Sequence, residues 1–250
     1  MELIINKLNK NQERASNVFF DDILMNEELN EYLRQWENEY MFSLGKIGLF
    51  KTEVAENLTY EQIKYFVRIF YHVRGHFYKF LWCLGNNAPD QKAKKLILDN
   101  FKEEFGENKP SHETLYQTFA HSIDPTINIA EEFIKEEFYL DFLRKYNIEH
   151  TRVLLANSWN YKISAFSAYE RLDNTDYSTL LKMLRCFKLK NPVNSIFFDI
   201  HANAKHFDML YCDLSKVWHD EKETVKGAFM FIASHQLSMW KLLSDSVLSQ

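Results

Sequence analysis

The stretch "TYEQIKYFVRIFYHVRGHFYKFLWCLG" (residues 59–85) decides the fold. Thr59 is followed three residues on by Gln62, the pattern of a capping box, in which each side chain satisfies a free backbone N–H of the first helical turn. Gly85 supplies a stop. Between them the apolar residues are too widely spread for one stripe, so the segment is expected as one long helix through the middle of a bundle.

Working outward, "NEELNEYLRQWENEYMFSLGKI" (26–47) places Leu29, Leu33, Trp36, Tyr40 and Leu44 three or four residues apart, the spacing of one buried helical face. Further helices are expected at 90–105, 111–121, 125–147, 149–172, 174–189, 192–215 and 220–248. Asp124-Pro125 and Asn191-Pro192 are good helix starts, because Pro is tolerated at the first helical position. "RLDNTDYSTLL" (171–181) reads as a break, with Asp176 or Ser178 as cap. The whole chain holds 6 Gly and 4 Pro, too few breakers for a many-turned sheet. The expectation is an all-α bundle of seven to eight helices in a single domain over 1–250, with 1–25 as an irregular lead-in.

Composition removes several function classes. Hydrophobic residues make up 46% of the chain and aromatic ones 16%, and the net charge is −5 with both signs interspersed. There is no basic stripe to neutralise phosphates, so nucleic acid is not an expected partner. Apolar runs are short and interrupted by charge, so no membrane span is expected. The first twenty residues lack the apolar core and small-residue cleavage site of a signal peptide. Cys83, Cys186 and Cys212 are odd in number and far apart, which reads as reduced thiols. A cytoplasmic protein is the expectation.

Three polar clusters interrupt apolar faces. In "FFDIHANAKHFDML" (197–210), taken as continuous helix, His201, Lys205 and Asp208 fall within roughly 60° of one another, with Cys212 next in the row as a small hydrophobe. On the same geometry His206 sits roughly 140° away from His201, and Asp199 roughly 160°. In "ILDNFKEEFGENKPSHETLYQTF" (97–119), Glu103 and Glu104 close one helix and His112 opens the next. Glu104 therefore opposes the helix macrodipole, a conflict that either a nearby cation or water relieves. In "SAFSAYERL" (164–172), Glu170 ends a run of small and aromatic residues. Each cluster alone is explained as readily by solvent exposure. His72 and His76, at i and i+4, have metal-chelating spacing, but core packing with satisfied hydrogen bonds is the commoner state of such a pair. With Tyr71 and its neighbour Tyr78 they are candidates for a pocket wall.

Taken in order, these elements resemble the heme-oxygenase-like superfamily, and within it the iron-dependent branch of diiron oxidases and oxygenases. That branch includes the chlamydial protein associating with death domains; pyrroloquinoline-quinone synthase and thiaminase-like proteins are more distant. The resemblance rests on Asn100, Glu104 and Gly106 followed by His112, on "AYE" at Ala168–Glu170, and on Phe197, Phe198 and His201. It covers roughly residues 60–215. It implies a heme-oxygenase-like helical bundle and the metal ligands Glu104, His112, Glu170 and His201. The sequence then departs from the family pattern: Lys205 stands at the usual Asp position and Asp208 at the usual His. A protonated lysine has no lone pair for a metal, so Asp208 is the fifth expected ligand. Lys205 would stand as a cation among the carboxylates, in place of one metal.

The resemblance implies a non-heme iron oxidase or oxygenase taking a small-molecule substrate and dioxygen. It implies one or two Fe ions, with Mn as a substitute. Tyr169 and Lys205 are its candidate catalytic groups, Tyr169 because some relatives consume a tyrosine beside their metals. A homodimer is compatible with it, since relatives commonly dimerise. A second reading stays open beside it: a metal-free member of the fold that binds a small molecule or a partner protein, favoured by Lys205. Heme oxygenase proper would need an axial histidine on the first helix, and 26–47 contains none.

Overall fold

The computed structural model describes residues 26–106 and 109–250; the expected lead-in over 1–25 lies outside the described residues. Among them the chain is all helix, with no strand. The first helix, α1, covers 26–44, and its five periodic residues Leu29, Leu33, Trp36, Tyr40 and Leu44 are all buried, as expected. A 3-10 turn at Gly48–Phe50 and the short α2 (Thr52–Ala55) lead to α3 (Tyr60–Arg74). The Thr59–Gln62 capping box is present at the start of α3.

The long helix expected over 59–85 is two helices. After Arg74 the chain turns at Gly75 and His76 and continues as α4 (Phe77–Asn87). A Cβ on Gly75 would come within 2.9 Å of the Tyr71 carbonyl oxygen, so only glycine fits this tight turn. Arg74 is thereby left at the C-terminal end of a helix, where the dipole favours a cation.

The helix α5 (Gln91–Phe105) is capped by Asp90 and closed by Gly106, which is left-handed at φ 73°. A side chain there would be strained and would run into the Lys109 carbonyl. Ser111 then caps α6 (His112–Ile123) by accepting from the Thr114 N–H. The segment expected as 125–147 is also divided, between α7 (Ile129–Lys135) and α8 (Asp141–Ala156), by Glu136 at φ 54°.

The expected break at 171–181 is absent. Ser158 caps a helix of 27 residues, α9 (Trp159–Arg185), that runs through it without interruption. Asp176 is no cap but the buried hub of the core. Its carboxylate accepts from Tyr40 Oη (2.7 Å) on α1 and from Trp240 Nε1 (3.0 Å) and Gln236 Nε2 (3.2 Å) on the last helix. Gln236 in turn accepts from Tyr146 Oη of α8 at 2.9 Å. These hydrogen bonds make burial of a carboxylate tolerable, and burial raises its pKa to about 7.

The helix expected over 192–215 breaks as well. A short α10 (Ile196–Ala202) ends, three residues turn, and α11 (His206–Leu248) begins; the boundary expected before 220 survives as a kink at Glu221. The break is made from a distance. Asn174 Nδ2, on α9, donates to the carbonyls of His201 (3.0 Å), Ala202 (3.1 Å) and Ala204 (3.0 Å). It thus satisfies acceptors that a continuing helix would have used. The buried side chains of these helices form one cluster, running from Leu29 on α1 to Val247 on α11. Phe70 lies at its centre, stacked on Phe66, Phe198 and Trp240. Each such apolar side chain, fully buried, gains about 1.5–3 kcal/mol over leaving it in water.

Candidate metal centre

The Gly106 turn folds α5 back on α6, so Glu104 in the last turn of one faces His112 in the first turn of the other. Their Oε2 and Nδ1 atoms are 3.0 Å apart. From α10, His201 completes the group: one donor atom from each of Glu104, His112 and His201 lies within 4.8 Å of the other two. The His112 and His201 rings have centroids 4.5 Å apart, and His201 stacks on Tyr177 at 4.2 Å.

The His201 tautomer is set by its surroundings. Nδ1 lies 2.7 Å from the Phe197 carbonyl, which can only accept, so Nδ1 carries the proton and Nε2 keeps a free lone pair. Burial, then the His112 ring, push its pKa well below the ordinary value, so the imidazole is neutral. A neutral imidazole oriented by a backbone acceptor is what a metal-binding histidine needs. Two imidazoles and one carboxylate converging on one point suit Fe(II) with positions left open.

The triad lines a cavity of about 150 Å³ whose walls include Tyr71, Phe77, Tyr116 and Phe197. Glu170, Asp173 and Tyr177 of α9 also face it, being three and seven residues apart on one side of that helix. Glu170 is buried, and its Oε2 is 3.0 Å from His206 Nδ1; His206 Nε2 is 2.5 Å from Glu103 Oε2. Burial raises the Glu170 carboxyl, while its hydrogen bond to Glu170 lifts His206 to about 9. At neutral pH the His206 imidazole is therefore protonated.

Arg74 is the other cation of the cavity. Its Nη2 is 2.9 Å from Asp173 Oδ1, its Nη1 donates to Tyr169 Oη, and its plane lies over the Tyr177 ring at 4.8 Å. Burial opposes its charge, but Asp173, Tyr169, Tyr177 and Asp176 outweigh that and hold it firmly protonated.

Of the residues singled out from sequence, the structure gathers Glu104, His112, Glu170, His201, Tyr71 and Tyr169 around one cavity. It does not bring in Lys205 or Asp208. Both are exposed and border a separate surface depression with Glu37 and Arg171. Because α10 stops at Ala202, the continuous-helix geometry that aligned them with His201 does not apply. The same break turns His206, set aside on that geometry, into the cavity. His72 and His76 are buried but line no part of this cavity. They stack on Tyr139, and His76 borders a much smaller adjacent chamber with His150 and Tyr169.

Arg74, Asp173 and His206 were not anticipated. Asp173 carried a legible signal, three residues from Glu170 on one helical face; Arg74 carried none beyond the Gly75 that follows it.

A family profile described as "Iron-containing redox enzyme" matches residues 64–240. Among solved structures, the chain resembles a CADD-like protein of unknown function from Nostoc punctiforme. The TM-score is 0.60 at 14% identity, covering 88% of this chain and 97% of that one. That likeness is one of fold. No curated protein matches the chain.

Proposed function

Since the chain belongs to the family of iron-containing redox enzymes, we propose that it is a non-heme iron oxidase or oxygenase acting on a small organic substrate with dioxygen. The observation that carries this reading is the Glu104, His112 and His201 triad at the wall of an aromatic cavity. Glu104, His112 and His201 would hold the iron, which would supply the one-electron chemistry with dioxygen that amino-acid side chains lack.

The protein's own contribution is order. Phe197 fixes the His201 ring through its carbonyl, and Tyr71, Phe77, Tyr116 and Phe197 give the cavity aromatic walls. His206 holds a proton beside Glu170 Oε2, and Tyr169 Oη, fixed by Arg74, is a hydroxyl at the cavity edge. Lys205, the residue that favoured the metal-free reading, is exposed to solvent away from this cavity.

The test is anaerobic reconstitution with Fe(II), followed by metal analysis and oxygen uptake. Wild-type protein is expected to retain iron and consume oxygen when a substrate is present. His112→Ala and His201→Ala are expected to lose iron while keeping the helical circular dichroism of wild type. A chain that retains no iron would refute the proposal.

A further inference from the structure

Three carboxylates face the cavity, Glu104, Glu170 and Asp173. Each has a protein partner: Glu104 meets the His112 ring, itself one of the triad. Glu170 is engaged by His206, and Asp173 by Arg74. Of the three only Glu104 converges with two imidazoles, and among the described residues no second group of three His, Cys, Asp or Glu donors shares ligand range.

We propose that this site takes a single metal ion, at Glu104, His112 and His201, and that the Arg74 guanidinium holds the second cationic position beside Asp173. The proposal rests on the iron reading above and adds its stoichiometry. A guanidinium is suited to the role because it cannot be deprotonated in a protein. Here it is also immobile. Its side chain is 8% exposed, ion-paired at 2.9 Å, donating to Tyr169 and lying over Tyr177, with Asp176 Oδ2 at 3.9 Å behind it. A second divalent ion drawn to Glu170 and Asp173 would have to displace this charge or sit against it, in a setting where little water screens the repulsion. The sequence placed Lys205 in the part of an internal cation; the fold gives the part to Arg74, from another helix.

The experiment is anaerobic titration of the full chain with Mn(II), with bound metal counted after equilibrium dialysis and the bound ion examined by electron paramagnetic resonance. Wild type is expected to bind one ion per chain with the six-line spectrum of isolated Mn(II). Arg74→Gln, which leaves the Asp173 carboxylate without its cation, is expected to move toward two ions per chain with an exchange-coupled spectrum. Arg74→Lys is expected to remain at one. Two coupled ions in wild type would overturn the single-ion proposal while leaving the metal reading intact. Binding of no ion, or binding that survives His112→Ala and His201→Ala unchanged, would overturn both. A folded Arg74→Gln that stays at one ion would remove Arg74 from the explanation. The wild-type count decides the stoichiometry whether or not that variant folds.

Discussion

The break between α10 and α11 puts His206 in the cavity and Asp208 in water, and paired substitutions test it. In His206→Ala the buried Glu170 carboxylate loses its partner at 3.0 Å and is left facing Asp173 and Glu104. A hydrogen bond to a charged group is worth about 1.5–3 kcal/mol. Because the His206 side chain is 21% exposed, solvent screens part of this, and about 1.5–2 kcal/mol is expected. A chain of this size loses about 2–4 °C in Tm per kcal/mol, so the melting point should fall by roughly 3–8 °C. Asp208→Ala removes an exposed side chain whose main role is in the first turn of α11. A favourable dipole interaction there is worth about 0.5 kcal/mol, so a fall of about 1–2 °C is expected. Both variants should be melted beside wild type after chelation, so that metal binding does not contribute. If Asp208→Ala costs as much as His206→Ala, or His206→Ala costs nothing, the two residues do not face where the structure has them and the break is refuted.

Two further outcomes follow from the same geometry. Asn174→Ala strips the donor from three carbonyls at the end of α10. It should cost about 1–3 kcal/mol in denaturant unfolding and weaken metal binding through His201; unchanged values for both would contradict the role given to Asn174. Acid should destabilise the protein through His76 and His72, whose pKa values burial lowers to about 3 and about 4. Their folded values lie below the unfolded 6.5, so the unfolded chain takes up protons first and stability falls as pH drops below 6.5. By pH 5 each contributes a loss of about 2 kcal/mol. Urea unfolding of wild type and His76→Phe at pH 7.5 and 5 should show the smaller loss in the variant, and equal losses would count against it.

Local signals carried the helices that local chemistry controls. The Thr59–Gln62 capping box, the five-residue face of α1 and the Gly106 terminus are each fixed by residues within a few positions, and the sequence stated them correctly. The set Glu104, His112, Glu170 and His201 came instead from the resemblance to the iron-dependent branch, and of the four only Glu104 and His112 stand beside helix ends that the local residues marked correctly. Legibility failed where a distant partner sets the backbone. Asp176 is of a type that caps helices, yet it lies inside α9 because Tyr40, Trp240 and Gln236 arrive from other helices to satisfy it. Arg74 becomes an internal cation only because α9 passes beside it with Asp173 and Tyr169.

The residues by themselves determined an all-helical chain and the donor types available for a metal. The tertiary structure alone decided which of these donors converge. The physical reason lies in the last carbonyls of α10. A helix continues when its next N–H groups are the best donors on offer, and here the side chain of Asn174, more than twenty-five residues earlier, is offered instead. That exchange rotates everything after residue 202, excludes Lys205 and Asp208, and admits His206, and nothing in the local run of residues from 197 to 210 records it.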